Sequence, residues 1–182
     1  AETDFILRRE ADCSVAMDAL RAGKLPLRVT HNDTKLNNVL LDEDTGEGVC
    51  VIDLDTVMPG LAINDFGDAI RFGANHCDED EKDLSRVNFD LDLFAIYTRG
   101  YLEGTGGSLT DQELQYLPWG AKLMTLECGI RFLTDYLEGD VYFSTSYPGQ
   151  NLDRCRTQLK LTADMEHSWQ AMGDIVERCR VR

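Results

Sequence analysis

The chain has 182 residues, 43% of them hydrophobic, with 18 Lys and Arg against 33 Asp and Glu and a formal net charge of -15. That length fills one well-packed domain, and the charge excludes a nucleic-acid binder, which needs clustered cations to meet phosphates. No apolar run approaches the roughly 18 residues that span a bilayer, and the opening segment is charged at Arg8-Arg9-Glu10 where a signal peptide would be apolar, so a cytoplasmic protein without membrane contact is expected. Cys13, Cys50, Cys77, Cys128, Cys155 and Cys179 are scattered and form no CxxC, which predicts reduced, structural thiols and no zinc site.

Along the chain, residues 4–22 carry Ile6, Cys13, Ala16, Met17 and Leu20 on one helical face, with Gly23 as a stop, and predict one amphipathic helix. Residues 25–29 are a short apolar run that delivers the chain into Thr30-His31-Asn32-Asp33-Thr34-Lys35-Leu36-Asn37-Asn38. Residues 38–41 and 49–52 are apolar and partly β-branched around a polar, glycine-bearing segment, the pattern of a β-hairpin. A hairpin returns its two ends to one place, so Asn38 and Asp53 become neighbours. Asn64 is expected to cap a helix with Phe66, Ala69 and Ile70 that ends near Gly73, and Asp78-Glu79-Asp80-Glu81 reads as a solvated loop. Residues 90–102 place Leu91, Phe94, Tyr97 and Tyr101 at helical spacing, and Thr110-Asp111-Gln112-Glu113 has the form of a capping box. Pro118 is expected to end that helix and open the next, which stops at Gly139, and Asn151 to cap a long helix carrying Leu152, Cys155, Leu159, Met165, Trp169 and Met172. The fold class is therefore α+β, mostly helical.

The chemistry gathers around His31-x-Asp33-x-x-x-x-Asn38, the spacing of a kinase catalytic loop. In phosphoryl transfer Asp33 would accept or orient the proton of the attacking hydroxyl, and Lys35 would reach the transferring phosphate. Asn38 and Asp53 would hold magnesium (Mg2+), which binds through few protein oxygens and keeps several waters. His31, Asn32 and Thr34 would shape the loop. A rival reading takes Asp53-Leu54-Asp55 as the nucleophile motif of haloacid-dehalogenase-like phosphatases, with Asp53 phosphorylated and Asp55 as acid and base. That family needs alternating strands and helices downstream, where this chain is nearly all helical. A sulfatase lacks its Cys-x-Pro-x-Arg signature here, and neither His76 nor His167 sits in a Ser-His-Asp context.

The stretches THNDTKLNNVLLD, VCVIDLDTVMPG and NDFGDAIRFGAN resemble the C-terminal lobe of the aminoglycoside phosphotransferase and choline kinase superfamily, and within it the N-acetylhexosamine 1-kinases. Protein kinases share the catalytic-loop spacing, but Asp53 is followed by Leu54-Asp55 in place of Phe-Gly and no Ala-Pro-Glu follows. The resemblance covers essentially the whole chain and implies a protein-kinase-like C-terminal lobe, residues 1–182 forming a single domain with a small β-hairpin at the catalytic loop. It implies Asp33 as catalytic base, Asn38 and Asp53 as magnesium ligands, and Asp65, with His31 and Asp55, as support for the site. Arg131 and Tyr142, within RFLTDYLEGDVY, would contact a sugar. The implied reaction is ATP-dependent phosphorylation of the anomeric hydroxyl of an N-acetylhexosamine to the sugar 1-phosphate. No Gly-rich loop or strand-borne lysine precedes His31, and the chain opens on Ala1, so the expectation is a C-lobe without its N-terminal nucleotide-binding lobe, poorly active alone. Two further readings stand beside it. One is a kinase for an aminoglycoside, choline or a similar amine, which the net charge favours. The other is a non-catalytic binding lobe that self-associates through the face left by the missing lobe.

Overall fold

In the computed structural model, which describes residues 1–180, two helices meet on bare backbone: α3 (Ala62–Gly73) packs on α5 (Asp111–Glu138) at Gly67 and Gly120. A Cβ on Gly120 would stand 2.1 Å from the carbonyl oxygen of Ile63, and one on Gly67 2.2 Å from that of Gly120. Only glycine permits this approach. The long α5 also packs against α6 (Gln150–His167) and α7 (Trp169–Cys179), while α4 (Leu91–Thr105) lies on α3 and α7. Between these helices Phe66, Phe94, Leu117, Met165 and Met172 are fully buried. Phe66 meets the ring of Phe94 edge-on at 5.8 Å and that of Tyr101 at 5.2 Å. The architecture is mostly helical α+β, consistent with a kinase-like C-terminal lobe.

Strands occur among the described residues only as two antiparallel pairs, β1 (Arg28–Thr30) with β4 (Met58–Gly60), and β2 (Val39–Leu41) with β3 (Gly48–Val51). The second pair is the expected hairpin, with Val39 opposite Val51. The first joins the entry and exit of the segment 31–57, placing Thr30 opposite Met58. No doubly wound sheet forms among the described residues, which removes the scaffold that the phosphatase reading of Asp53 and Asp55 requires. None of the described helices is long and apolar enough to cross a membrane.

Several local expectations are corrected by tertiary contacts. The single amphipathic helix over residues 4–22 is three pieces: α1 (Glu2–Leu7), a 3₁₀ turn (Glu10–Ser14) and α2 (Val15–Arg21). The chain breaks at Arg9, whose guanidinium pairs with Glu166, donates to the Phe5 carbonyl at 2.8 Å and lies 3.3 Å over the Phe5 ring. Met17, expected inside, is exposed. Leu61, not Asn64, precedes α3. Pro118 does not divide α5, although an interior proline costs about 3 kcal/mol; burial of Leu114, Leu117, Pro118 and Ala121 offsets that cost. The Thr110 capping box forms as expected, and Gly139, at φ 97, closes α5. Gly149, not Asn151, begins α6, and the chain breaks again at Ser168, so Trp169 and Met172 belong to α7. The acidic run is not simply solvated: Glu79 pairs with Arg71 at 2.8 Å, Asp80 accepts from Gln150 at 2.7 Å, and Glu81 pairs with Arg86 at 2.9 Å. All six cysteines are free. Burial pushes the Cys128 thiol up to about 11 and that of Cys155 to about 12, so both stay protonated, whereas Cys13 and Cys50 are exposed and not part of the core.

Candidate active site

Asp65, in the first turn of α3, accepts the backbone N–H of His31 on Oδ2 and that of Asn32 on Oδ1, both at 2.8 Å. One carboxylate thus clamps two successive peptide groups and fixes the loop against the helix. Asn32 is held at φ 65, in the left-handed region, which Asn tolerates better than most residues. Its side chain secures that conformation, donating to the Thr56 carbonyl at 3.0 Å and accepting from the Thr30 hydroxyl at 2.9 Å. Thr56 returns a bond from its own hydroxyl to the His31 carbonyl at 2.6 Å. These contacts hold the strained backbone in place.

His31 bridges to the hairpin. Its Nε2 lies 2.9 Å from the Ile52 carbonyl, which can only accept, so Nε2 carries the proton and Nδ1 accepts from the Asp33 N–H at 3.3 Å. Asp33 itself is pinned from two sides. Lys35 Nζ is 3.0 Å from its Oδ2, and Asn38 Nδ2 donates to that same oxygen and to the Asp33 carbonyl, each at 2.8 Å. Partial burial works to raise the Asp33 carboxyl, but the bonds from Lys35 and Asn38 outweigh it and hold the group below the usual carboxylate range. It is therefore ionised at neutral pH.

Asn38 and Asp53 meet at the hairpin end through the Ile52 N–H, which donates to the Asn38 carbonyl at 2.9 Å. Asp53 is at φ 62, another left-handed non-glycine residue, and its side chain is exposed. Neither Asn38 Oδ1 nor the Asp53 carboxylate takes part in any hydrogen bond among the described residues. Two free, hard oxygen donors fit magnesium, which asks for few protein ligands. Asp55 sits exposed in the turn Leu54–Thr56 without a hydrogen bond among the described residues, so the ties to the loop on that side come from Thr56.

The loop opens on a cleft of about 650 Å³ lined by Asn32, Asp33, Lys35 and Thr56 on one side and by Arg131, Tyr142 and Phe143 on the other. Asn38, Asp53 and His31 do not line it. Arg131, on α5, has no ion-pair partner among the described residues; its guanidinium stands 5.8 Å from the centre of the Tyr142 ring and 5.4 Å from that of Phe143. Tyr142 is 73% exposed, so it is not a packed core aromatic.

Asp135 presents that aromatic loop, a role sequence reading missed. Its buried carboxylate accepts three consecutive backbone N–H groups, from Val141 at 2.9 Å, Tyr142 at 2.8 Å and Phe143 at 3.0 Å, and a fourth bond from Asn151 at 2.8 Å. Burial alone would raise the Asp135 carboxyl; these donors lower it instead. The available signal was a carboxylate in the last turn of a helix, where the dipole disfavours it. Also missed were Asp68, Arg71, Glu79 and Arg154, charged residues that line the same cleft.

A clamped loop, an ionised carboxylate facing a cleft, a nearby ammonium and two free oxygen donors at the hairpin end form a set suited to positioning a hydroxyl against a phosphate. The family model described as the phosphotransferase enzyme family, APH, matches residues 2–104, from α1 through the loop, hairpin and α3 into α4. The chain belongs to the phosphotransferase enzyme family.

Proposed function

We propose that the chain is the catalytic, acceptor-binding lobe of a kinase that moves the γ-phosphoryl group of ATP to the anomeric hydroxyl of an N-acetylhexosamine, giving the sugar 1-phosphate. The observation that carries this reading is that Asp33 and Lys35 share one cleft with Arg131 and Tyr142. Asp33, ionised and pinned by Asn38, orients the acceptor hydroxyl and takes its proton as the bond to phosphorus forms. A strong base is not needed, because a loose transition state asks mainly for position and charge. Lys35 Nζ, beside Asp33, is placed to neutralise charge on the transferred group. Asn38 Oδ1 and the Asp53 carboxylate would hold magnesium, which when bound neutralises and orients the donor phosphates.

Local charge favours a neutral sugar over the amine alternative. Despite the net charge of -15 on the chain, the cleft sets Lys35, Arg71, Arg131 and Arg154 against Asp33, Asp68, Glu79 and Glu127, a balance without acidic excess. Three of its four aromatic rings already meet guanidinium groups, Arg131 over Tyr142 and Phe143 and Arg154 over Phe132, and the fourth, Phe72, makes no aromatic cage for a quaternary ammonium by itself.

The strand region carries exposed apolar residues, with Val29 82%, Val49 66% and Leu54 60% exposed. This supports a reading in which another body of protein covers that face and completes the nucleotide cleft, leaving the chain by itself poorly active. A second copy of the chain is the other candidate for that face, and sedimentation over a concentration series separates the two. The direct test supplies the chain with ATP, magnesium and N-acetylglucosamine, N-acetylgalactosamine, choline or an aminoglycoside, with product followed by phosphorus NMR. Sugar 1-phosphate alone, formed slowly, supports the proposal. Phosphorylation of choline or the aminoglycoside refutes the sugar assignment, and brisk turnover refutes the need for a covering lobe.

A further inference from the structure

Along the wall of the cleft Asp68, Arg71, Glu79 and Arg154 form a row of alternating charges. Arg71 donates to Asp68 Oδ1 at 3.0 Å and to Glu79 Oε1 at 2.8 Å, while Arg154 Nε stands 3.8 Å from Glu79 Oε2, beyond hydrogen-bond reach. Arg71 is bonded on both sides, and the two ends of the row are not. Among the described residues three buried side-chain polar atoms lack a partner, and two of them are Asp68 Oδ2 and Arg154 Nε. The Asp68 side chain is only 10% exposed, and both residues line the cleft that holds Asp33 and Lys35. Arg154 is held rigidly, donating from Nη1 to the Ser144 carbonyl at 3.1 Å and to Asn151 Oδ1 at 3.0 Å. Buried polar atoms are left open at a desolvation cost, and nearly all in folded proteins find a partner. Here the open pair consists of one acceptor and one donor, each fixed in place.

We propose that Asp68 and Arg154 read the hydroxyl pattern of the acceptor, Asp68 Oδ2 accepting from one hydroxyl and Arg154 Nε donating to another oxygen of the same ring. The chemistry selects the class of ligand. An ammonium group would satisfy Asp68 and leave Arg154 unpaired; a carboxylate or phosphate would do the reverse. A hydroxyl both donates and accepts, so a neutral polyhydroxylated ring meets both ends at once, and the pair discriminates between epimers that move one hydroxyl. This inference rests on the sugar-kinase reading above and specifies what its acceptor must carry.

The test is binding, which needs no turnover. The chain is titrated calorimetrically with N-acetylglucosamine, its monodeoxy analogues and choline. In the wild type, removal of the hydroxyl that faces Asp68 weakens binding about ten- to a hundredfold, the effect of a hydrogen bond to a charged group. In Asp68→Asn, which keeps an acceptor for Arg71 but replaces the open carboxylate oxygen by a neutral amide donor, the parent sugar binds more weakly and the cost of that deoxygenation falls to about tenfold or less, the effect of a neutral hydrogen bond. Arg154→Lys abolishes discrimination at a different ring position. If the wild type binds every monodeoxy analogue as tightly as the parent, or if the deoxygenation cost is undiminished in Asp68→Asn, the inference is overturned while the sugar-kinase reading stands. If the wild type binds choline and no sugar, both fall.

Discussion

Gly120→Ala tests whether the backbone contact between α3 and α5 positions the loop from His31 to Asn38. The added methyl would meet the Ile63 carbonyl oxygen at 2.1 Å and the Ile63 carbonyl carbon at 2.8 Å, where ordinary contact begins at 3.4 Å. The obstacle is helical backbone, so no side chain can swing aside and the helices must separate by roughly 1 Å, forfeiting a quarter to a half of the dispersion attraction at the crossing. Overpacking of this kind costs about 1–3 kcal/mol, the lost contacts add to that, and the better helix propensity of alanine returns about 1 kcal/mol. The expected net destabilisation is about 2–3 kcal/mol, or roughly 4–12 °C in Tm for a chain of this size. Urea denaturation followed by circular dichroism measures it, with Gly100→Ala as the control. Gly100 is an exposed position in α4 where a Cβ meets nothing within 4 Å, so alanine there stabilises by about 0.5–1 kcal/mol. Because α3 carries Asp65, the His31 and Asn32 amide resonances should shift in Gly120→Ala and stay put in the control. A Gly120→Ala protein as stable as the wild type, with those amides unmoved, would sink the argument.

Three other outcomes follow from the site and its supports. Replacing Lys35 with Met removes a donor that lowers the Asp33 carboxyl, so carboxyl NMR should find the Asp33 titration moved up in pH. The wild-type pairing contributes stability above the unfolded-state pKa and loses it as pH falls through the depressed folded value, so the wild type and Lys35→Met should converge in acid; an unchanged midpoint contradicts the ion pair. Asp135→Ala frees the N–H groups of Val141, Tyr142 and Phe143, which should raise KM for the acceptor about tenfold or more with little change in KM for ATP, and equal effects on both would assign Asp135 a purely structural role. Glu113, buried in α5, accepts two bonds from Arg28 and closes the capping box on Thr110. Glu113→Gln should cost about 2–3 kcal/mol at neutral pH, since Arg28 keeps some solvent contact, and the deficit should shrink as acid protonates the wild-type carboxylate, whose pKa Arg28 lowers against the opposing effect of burial.

The parts of this molecule written in local chemistry were legible from the chain alone. The spacing from His31 to Asn38, the hairpin that follows it, the Thr110 capping box and the stop at Gly139 each depend on residues within one turn or one hairpin of each other, and each formed. The class, mostly helical with a small strand element at the loop, followed from the same patterns, and the phosphotransferase family from the resemblance of three stretches to it. Helix continuity was not legible. Arg9 broke the first helix to reach Glu166, and Pro118 stayed inside α5, because in both cases contacts distant in sequence outweighed local propensity. The walls of the cleft were likewise a product of tertiary structure. Asp68, Arg71, Glu79 and Arg154 come from two helices and the loop between α3 and α4, and nothing in their spacing announces that they share a cavity with Asp33. Net charge is silent on the acceptor for the same reason, since a sum over the chain says nothing about where opposite charges converge. The sequence determined which groups could perform the chemistry; the packing of α3, α5 and α6 decided which of them face the space where it would occur.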